Sequence, residues 1–266
     1  MVPKMMTSRM TRPLGRAPAI FALALGLAVF GPCAAEAATF DSWAAVVVAG
    51  DWRGHAGEPV EVFDNARREV TANLVRRMGF SPLNVRQFST RPELYPDAMA
   101  LPADLDTITD ALNELTRQAT GGCFVFFTSH GTNYGMMLNN RLLTTRAVAE
   151  LIDNSCGVRP TIVIVSACYS GIFVAALAAD NRMIMTAARS DRQSFGCGQE
   201  FEYTYFDSCL LQSMSAAATF GDLARDTQDC VTRRESEEGI GPASEPQVFI
   251  GQNIGPLMWS PFFSGT

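Results

Sequence analysis

Cys123-Phe124-Val125-Phe126-Phe127 runs straight into Thr128-Ser129-His130-Gly131-Thr132, and Thr161-Ile162-Val163-Ile164-Val165 runs into Ser166-Ala167-Cys168-Tyr169-Ser170-Gly171. Each is a short β-branched and aromatic run that ends in small and polar residues, the pattern of a buried strand meeting a turn. Between them, Thr144 to Ile152 has helical spacing and opens with Thr144-Thr145 near its N-cap. Strand, helix, strand implies a parallel pair joined by a crossover. Neighbouring parallel strands lie about 5 Å apart. An imidazole at one strand end and a thiol at the next can then meet, at the carboxyl edge where open parallel sheets place their functional crevice.

The alternation continues outward. Trp43 to Val48, ending in Ala49-Gly50, reads as a buried strand, and the acidic, Gly-bearing loop Asp51 to Pro59 follows. Val62, Phe63, Ala66, Val70, Leu74 and Val75 recur at helical spacing. Val85 to Phe88 is a strand candidate, and Leu105 to Ala119 is an amphipathic helix with Ile108, Leu112 and Leu115 on one face. Arg182 to Thr186 is a further strand, Phe201 to Phe220 is mixed and helical, and Gly221 to Val231 is another helix. Glu235 to Glu245 is a polar loop before the last strand, Gln247 to Ile250. No internal repeat, low-complexity tract or linker interrupts this order. The expectation is one α/β/α domain with a mostly parallel sheet covered on both faces.

Residues 1–37 read as a cleavable signal peptide, leaving 38–266 as the working domain. Lys4, Arg9, Arg12 and Arg16 form a positive start, Ala17 to Phe30 is an apolar run of 14 residues, and Ala35-Glu36-Ala37 is an A-x-A cleavage pattern. The run is too short for a membrane span, and Phe30-Gly31-Pro32 does not suit a lipid anchor on Cys33. The expected location is secreted or periplasmic, without stable membrane insertion. Of 21 basic and 27 acidic residues, the segment removes four and one, which leaves 17 arginines against 26 acids. That balance argues against nucleic acid as a partner. Forty-seven per cent hydrophobic residues exclude a disordered chain.

With two histidines in the whole chain, imidazole chemistry must use His55 or His130. A cysteine at a strand end is commonly an apolar filler, and Ser-His-Gly alone is weak. Their occurrence at equivalent ends of sequential strands favours a nucleophile with its acid/base partner. Gly131 and Cys168 can offer backbone N–H groups to an oxyanion, and Gly171 would permit the turn after the nucleophile. His55, in Trp52-Arg53-Gly54-His55-Ala56-Gly57, reads first as an exposed loop residue that could also face the crevice.

These motifs resemble the legumain-like cysteine peptidases of the caspase and gingipain clan. The resemblance spans Ala44 to Gly251. It includes Thr186-Ala187-Ala188-Arg189-Ser190-Asp191, and Ser194-Phe195-Gly196-Cys197-Gly198 with Tyr203-Thr204-Tyr205-Phe206, which look like the bacterial members. It implies a caspase-like three-layer α/β/α sandwich with about six strands. It implies peptide or protein substrates, hydrolysis through a thioester acyl-enzyme, and neither metal nor organic cofactor. Cys168 is then the nucleophile, His130 the acid/base group that protonates the leaving amine, and Gly131 with Cys168 the oxyanion donors. The family's Arg-His pair after the first strand is replaced by Phe63-Asp64-Asn65, so asparagine specificity is not carried over. Asp64, Tyr169, Ser190 and Asp207 are candidate pocket residues. Asp64, Glu200, Glu202 and Asp207 could accept a basic side chain or be plain surface acids. A transpeptidase or amidase on the same dyad, and a silent binding protein of the same fold, are the alternatives. Oligomeric state is left open.

If Cys168 is the nucleophile, Cys123 is expected to be a buried free thiol. Cys156, Cys197, Cys209 and Cys230 then allow three pairings, of which Cys197 with Cys209 would close a short loop. A zinc site is not expected, because there is no Cys-x-x-Cys or His pair.

Overall fold

The structure, a computed structural model, describes Met1 and residues 40–262. The expected signal segment and Cys33 lie outside the described residues. Strands β1 (Trp43–Ala49), β2 (Val85–Ser89), β3 (Leu101–Pro102) and β4 (Gly122–Thr128) alternate with helices α1 (Val62–Arg76) and α2 (Leu105–Gln118). Three short strands follow, β5 (Gly131–Thr132), β6 (Gly135–Leu138) and β7 (Arg141–Thr144), and then α3 (Thr145–Ser155). The chain continues through β8 (Thr161–Ser166), α4 (Ile172–Leu177), β9 (Arg182–Thr186), α5 (Tyr205–Ala216), α6 (Phe220–Glu237), β10 (Gln247–Ile250) and α7 (Gly255–Met258).

The main sheet has seven strands in the order β10-β9-β8-β4-β1-β2-β3. All pairings are parallel except β10 with β9. The sheet exceeds the expected six because β3 adds a two-residue edge strand, too short to leave a periodic signal. β4 pairs with β8 over Cys123↔Thr161 to Thr128↔Ser166, so the two key turns leave the sheet side by side.

Alternate residues of the central strands feed two cores, as a period of two requires. Ala45, Val47, Phe124, Phe126, Ile162 and Ile164 pack under α1, α5, α6 and α7. Ala44, Val46, Val48, Val125, Val163 and Val165 pack under α2, α3 and α4. Asp104, Thr144, Thr204 and Thr219 cap α2, α3, α5 and α6 by accepting from the backbone N–H three residues on. The mixed Phe201–Phe220 stretch resolves into two helices because Thr219 starts a new one, after α5 ends at Ala216.

The small sheet β5-β6-β7 was not expected. Its signal was Asn139-Asn140 between Met136-Met137-Leu138 and Arg141-Leu142-Leu143, with Asn139 at φ 58°, a backbone conformation asparagine tolerates in tight hairpins.

The cysteine pairing differs from expectation. Cys123 is not a free thiol: it is bonded to Cys156, at the end of α3, and Cys209 is bonded to Cys230 across α5 and α6. Cys168 and Cys197 are free. Cys123 points into the α2/α3/α4 face, where Cys156 arrives beside it. Strand parity decides this, and helix placement supplies the partner.

Candidate active site

Four loops converge at the carboxyl edge of β1, β4, β8 and β9. His130 stands two residues beyond β4 and Cys168 two beyond β8. Both line one small pocket walled by Phe63, Ser129, Ser166, Ser194, Phe195 and Thr204. Gly131 is required there: a Cβ on it would lie 2.0 Å from the Cys168 carbonyl oxygen. The two turns therefore touch through backbone, which only glycine permits.

Nε2 of His130 lies 2.6 Å from the Arg53 carbonyl oxygen. A carbonyl only accepts, so Nε2 carries the proton and Nδ1 is the free nitrogen. The ring packs edge-on against Phe63, with centroids 5.1 Å apart. Arg53 is itself secured. Its Nε donates to Asp51 at 2.9 Å, and its guanidinium donates to Asn140 Oδ1 and the Asn139 carbonyl at 2.9 and 3.0 Å. The unexpected β6–β7 hairpin thus holds the loop that holds the histidine. No sequence signal marks a backbone carbonyl for this task.

The Cys168 thiol is half-buried and held by Ser194: the Ser194 N–H donates to Sγ at 3.3 Å, and Sγ donates to the Ser194 carbonyl at 3.4 Å. Burial pushes its pKa up, opposed by the backbone groups of Ser194 and of Cys168 itself. Tyr169 adopts φ 57°, a costly left-handed conformation for a residue with a side chain. Its N–H donates to the Arg192 carbonyl at 2.7 Å. The expected role of Gly171 is corrected here. Tyr169 takes the strained turn, while Gly171 has φ −55°. Gly171 is needed for clearance, because a Cβ would come within 2.4 Å of the Ser190 N.

The four candidate pocket residues separate. Tyr169 is half-buried beside Cys168, with its hydroxyl accepting from Gln193 at 3.3 Å. Ser190 is exposed, its backbone against Gly171. Asp64 is turned inward: it accepts from Arg67 Nε at 2.8 Å and from Ser89 Oγ at 3.1 Å, both within the interior. Asp207 is fully buried and accepts from Thr128 Oγ1 at 2.7 Å. Burial pushes its carboxyl up to about 6, against the hydroxyls of Thr128, Ser166 and Thr204. It underlies both turns as a structural group. Glu200 and Glu202 are exposed. A shared acidic pocket is therefore not formed, because Asp64 and Asp207 serve internal partners.

Two further residues enter the site. His55 is exposed but leans toward the crevice, its ring centroid 5.5 Å from that of His130. Its Nε2 lies 2.9 Å from Sγ of Cys197. Cys197 is buried among Val60, Val62 and Phe63. Burial pushes its thiol up to about 12, and the charges of Cys168, Glu200 and Glu58 add in the same direction.

With this geometry in view, the comparisons fall into place. The model of the Peptidase C13 family matches residues 105–231, from the start of α2 into α6, and takes in both His130 and Cys168. The chain is a cysteine-type peptidase. Its fold is similar to that of caspase-1 from Spodoptera frugiperda, with a TM-score of 0.57 at 11% identity, over 81% of this chain and 89% of that one. That likeness establishes the caspase-like α/β/α sandwich with its mostly parallel sheet. Comparison with curated proteins gives no match. Among the described residues of the peptidase, no helix is long and apolar enough to cross a membrane.

Proposed function

We propose that this peptidase is a legumain-like endopeptidase of the bacterial type, with Cys168 as nucleophile and His130 as acid/base group. One observation carries the reading. His130 and Cys168 leave adjacent parallel strands into one pocket, and the Arg53 carbonyl holds the imidazole with Nδ1 free.

The raised thiol pKa means that Cys168 rests protonated. Sulfur attacks the scissile carbonyl carbon and forms the C–S bond as its proton passes to Nδ1 of His130, which becomes an imidazolium. The oxyanion is met by the N–H groups of Gly131 and Cys168. Collapse breaks the C–N bond, and the imidazolium of His130 gives its proton to the leaving amine. Water then attacks the thioester, His130 takes a proton from it, and the C–S bond breaks to release the acid. Holding Nε2–H on a carbonyl keeps the ring oriented through both transfers.

Export through the N-terminal segment, with cleavage after Ala37, is part of the same reading. The two disulfides support an oxidising destination. Protein sequencing of the purified mature form should begin at Ala38. A peptide-library cleavage assay tests the mechanism, with wild type beside Cys168→Ala and His130→Ala. Turnover is expected in the wild type alone, and equal turnover by all three would sink the dyad. Product analysis with added amine separates hydrolysis from transfer.

A further inference from the structure

The loops after β1, β4 and β9 each deliver one metal-ligating side chain to the same point. The ligand atoms of His55, His130 and Cys197 all lie within 4.8 Å of one another. The placement is built. Gly196, at φ 87°, turns the chain just before Cys197 against Tyr205. Gln199 Nε2 donates to the Pro59 carbonyl at 3.0 Å, tying the Cys197 loop to the His55 loop. Apolar packing of Val60, Val62 and Phe63 fixes the thiol from behind, and His55 stands on the solvent side, free to adjust.

Two imidazoles and one thiolate are a preferred donor set for zinc-class ions, and three protein ligands leave a fourth position open. We propose that His55, His130 and Cys197 form a binding site for a thiophilic divalent transition metal of the zinc class, and that occupancy holds the enzyme inactive. The second part rests on the dyad reading above. On binding, two nitrogen lone pairs and one sulfur form bonds to the ion. The Cys197 proton and the displaced aquo ligands pass to solvent, and no electrons change hands. If His130 ligates through Nδ1 it loses its free nitrogen. If it ligates through Nε2 it gives up the bond to Arg53. Either way the ring cannot carry a proton to the leaving amine. Glu58 and Glu200, close enough to act on Cys197 electrostatically, add negative charge that favours a cation.

Cobalt(II) is the probe. Added to the EDTA-stripped full chain with its disulfides intact, it should give the visible bands of a tetrahedral ion and a near-ultraviolet sulfur-to-cobalt band, both quenched by zinc. Cys168→Ala should keep the sulfur band and Cys197→Ser should lose it. His55→Ala should weaken cobalt binding at least about tenfold, the low end of what even an outer partner costs a metal site. Zinc should inhibit the stripped wild type, and His55→Ala should need correspondingly more zinc, with each protein's inhibition read against its own metal-free rate. No sulfur band at saturating cobalt, or a band that survives Cys197→Ser and vanishes in Cys168→Ala, would overturn the site. Zinc inhibition unshifted by His55→Ala would overturn the regulatory role. The cobalt spectra decide the site even if the stripped protein cleaves nothing, so the two readings fail separately.

Discussion

Cys168 and Cys197 are the two free thiols of the described residues, and they line one pocket from different loops. Their surroundings set them apart. Cys168 sits on a strained turn, with backbone N–H groups of Ser194 and of its own residue near sulfur and no acid touching it. Cys197 is packed among apolar side chains, with an imidazole at 2.9 Å and two glutamates nearby. The first setting supplies donors to an oxyanion, which acyl transfer needs. The second supplies donor atoms and negative charge, which a cation needs. Burial raises the pKa of both thiols, so basicity alone does not separate the two proposed roles; the proposal rests on the arrangement of donors.

The sharpest break of this comparison is exchange of each thiol. Cys168→Ala should lower kcat/KM by at least about 1,000-fold, and Cys197→Ala by less than about tenfold, in a peptide cleavage assay. Equal losses would erase the distinction. Next come the disulfides, one behind each region. Cys123–Cys156 anchors the strand that leads to His130, and Cys209–Cys230 anchors the helix that follows the Cys197 loop. With sequence separations of 33 and 21, replacing either pair with serines should cost about 3–4 kcal/mol in urea unfolding.

Asp207 joins the two regions from below, linked to Thr128 at the end of β4 and to Thr204, the cap of α5. Burial pushes its folded carboxyl up to about 6, from an ordinary 3.8. The folded state therefore binds the proton more tightly, and this group's contribution is complete below about pH 4 and lost as pH rises through about 6. The difference is on the order of 3 kcal/mol. Asp104, Asp191 and Asp222, with lowered values, act in the opposite sense. The measurement is thus the wild-type-minus-Asp207→Asn difference in unfolding free energy, which should fall between pH 4 and 7. Gly131→Ala should force the two turns apart, costing about 1–3 kcal/mol of stability and about 100-fold in kcat. The smallest effect is expected for Asp51→Ala, which frees Arg53. A loss of about 2–5-fold in kcat, with KM little changed, would match a misplaced carbonyl rather than a lost contact to substrate.

Much of this was legible in the sequence. The runs Cys123–Phe127 and Thr161–Val165 are apolar on both faces because the sheet is covered on both faces. Their register brings His130 and Cys168 together because both turns begin at the same level of the sheet. The cysteine pairing was not legible, since Cys123 reads as an ordinary apolar filler until α3 brings Cys156 to it. Asp64 looked like a pocket acid, and only Arg67, one helical turn on and equally buried, shows why it faces inward.

The sequence alone determined the main alternation of strands and helices and the parallel sheet, and it pointed to His130 and Cys168 as a pair, because these follow from local periodicity and from one rule of sheet geometry. The tertiary structure decided what lies between distant loops. It placed the Arg53 carbonyl 77 residues from the histidine it orients, and set His55 against Cys197 at a separation of 142. No local pattern encodes such pairs. They depend on where whole loops come to rest once the two cores have packed.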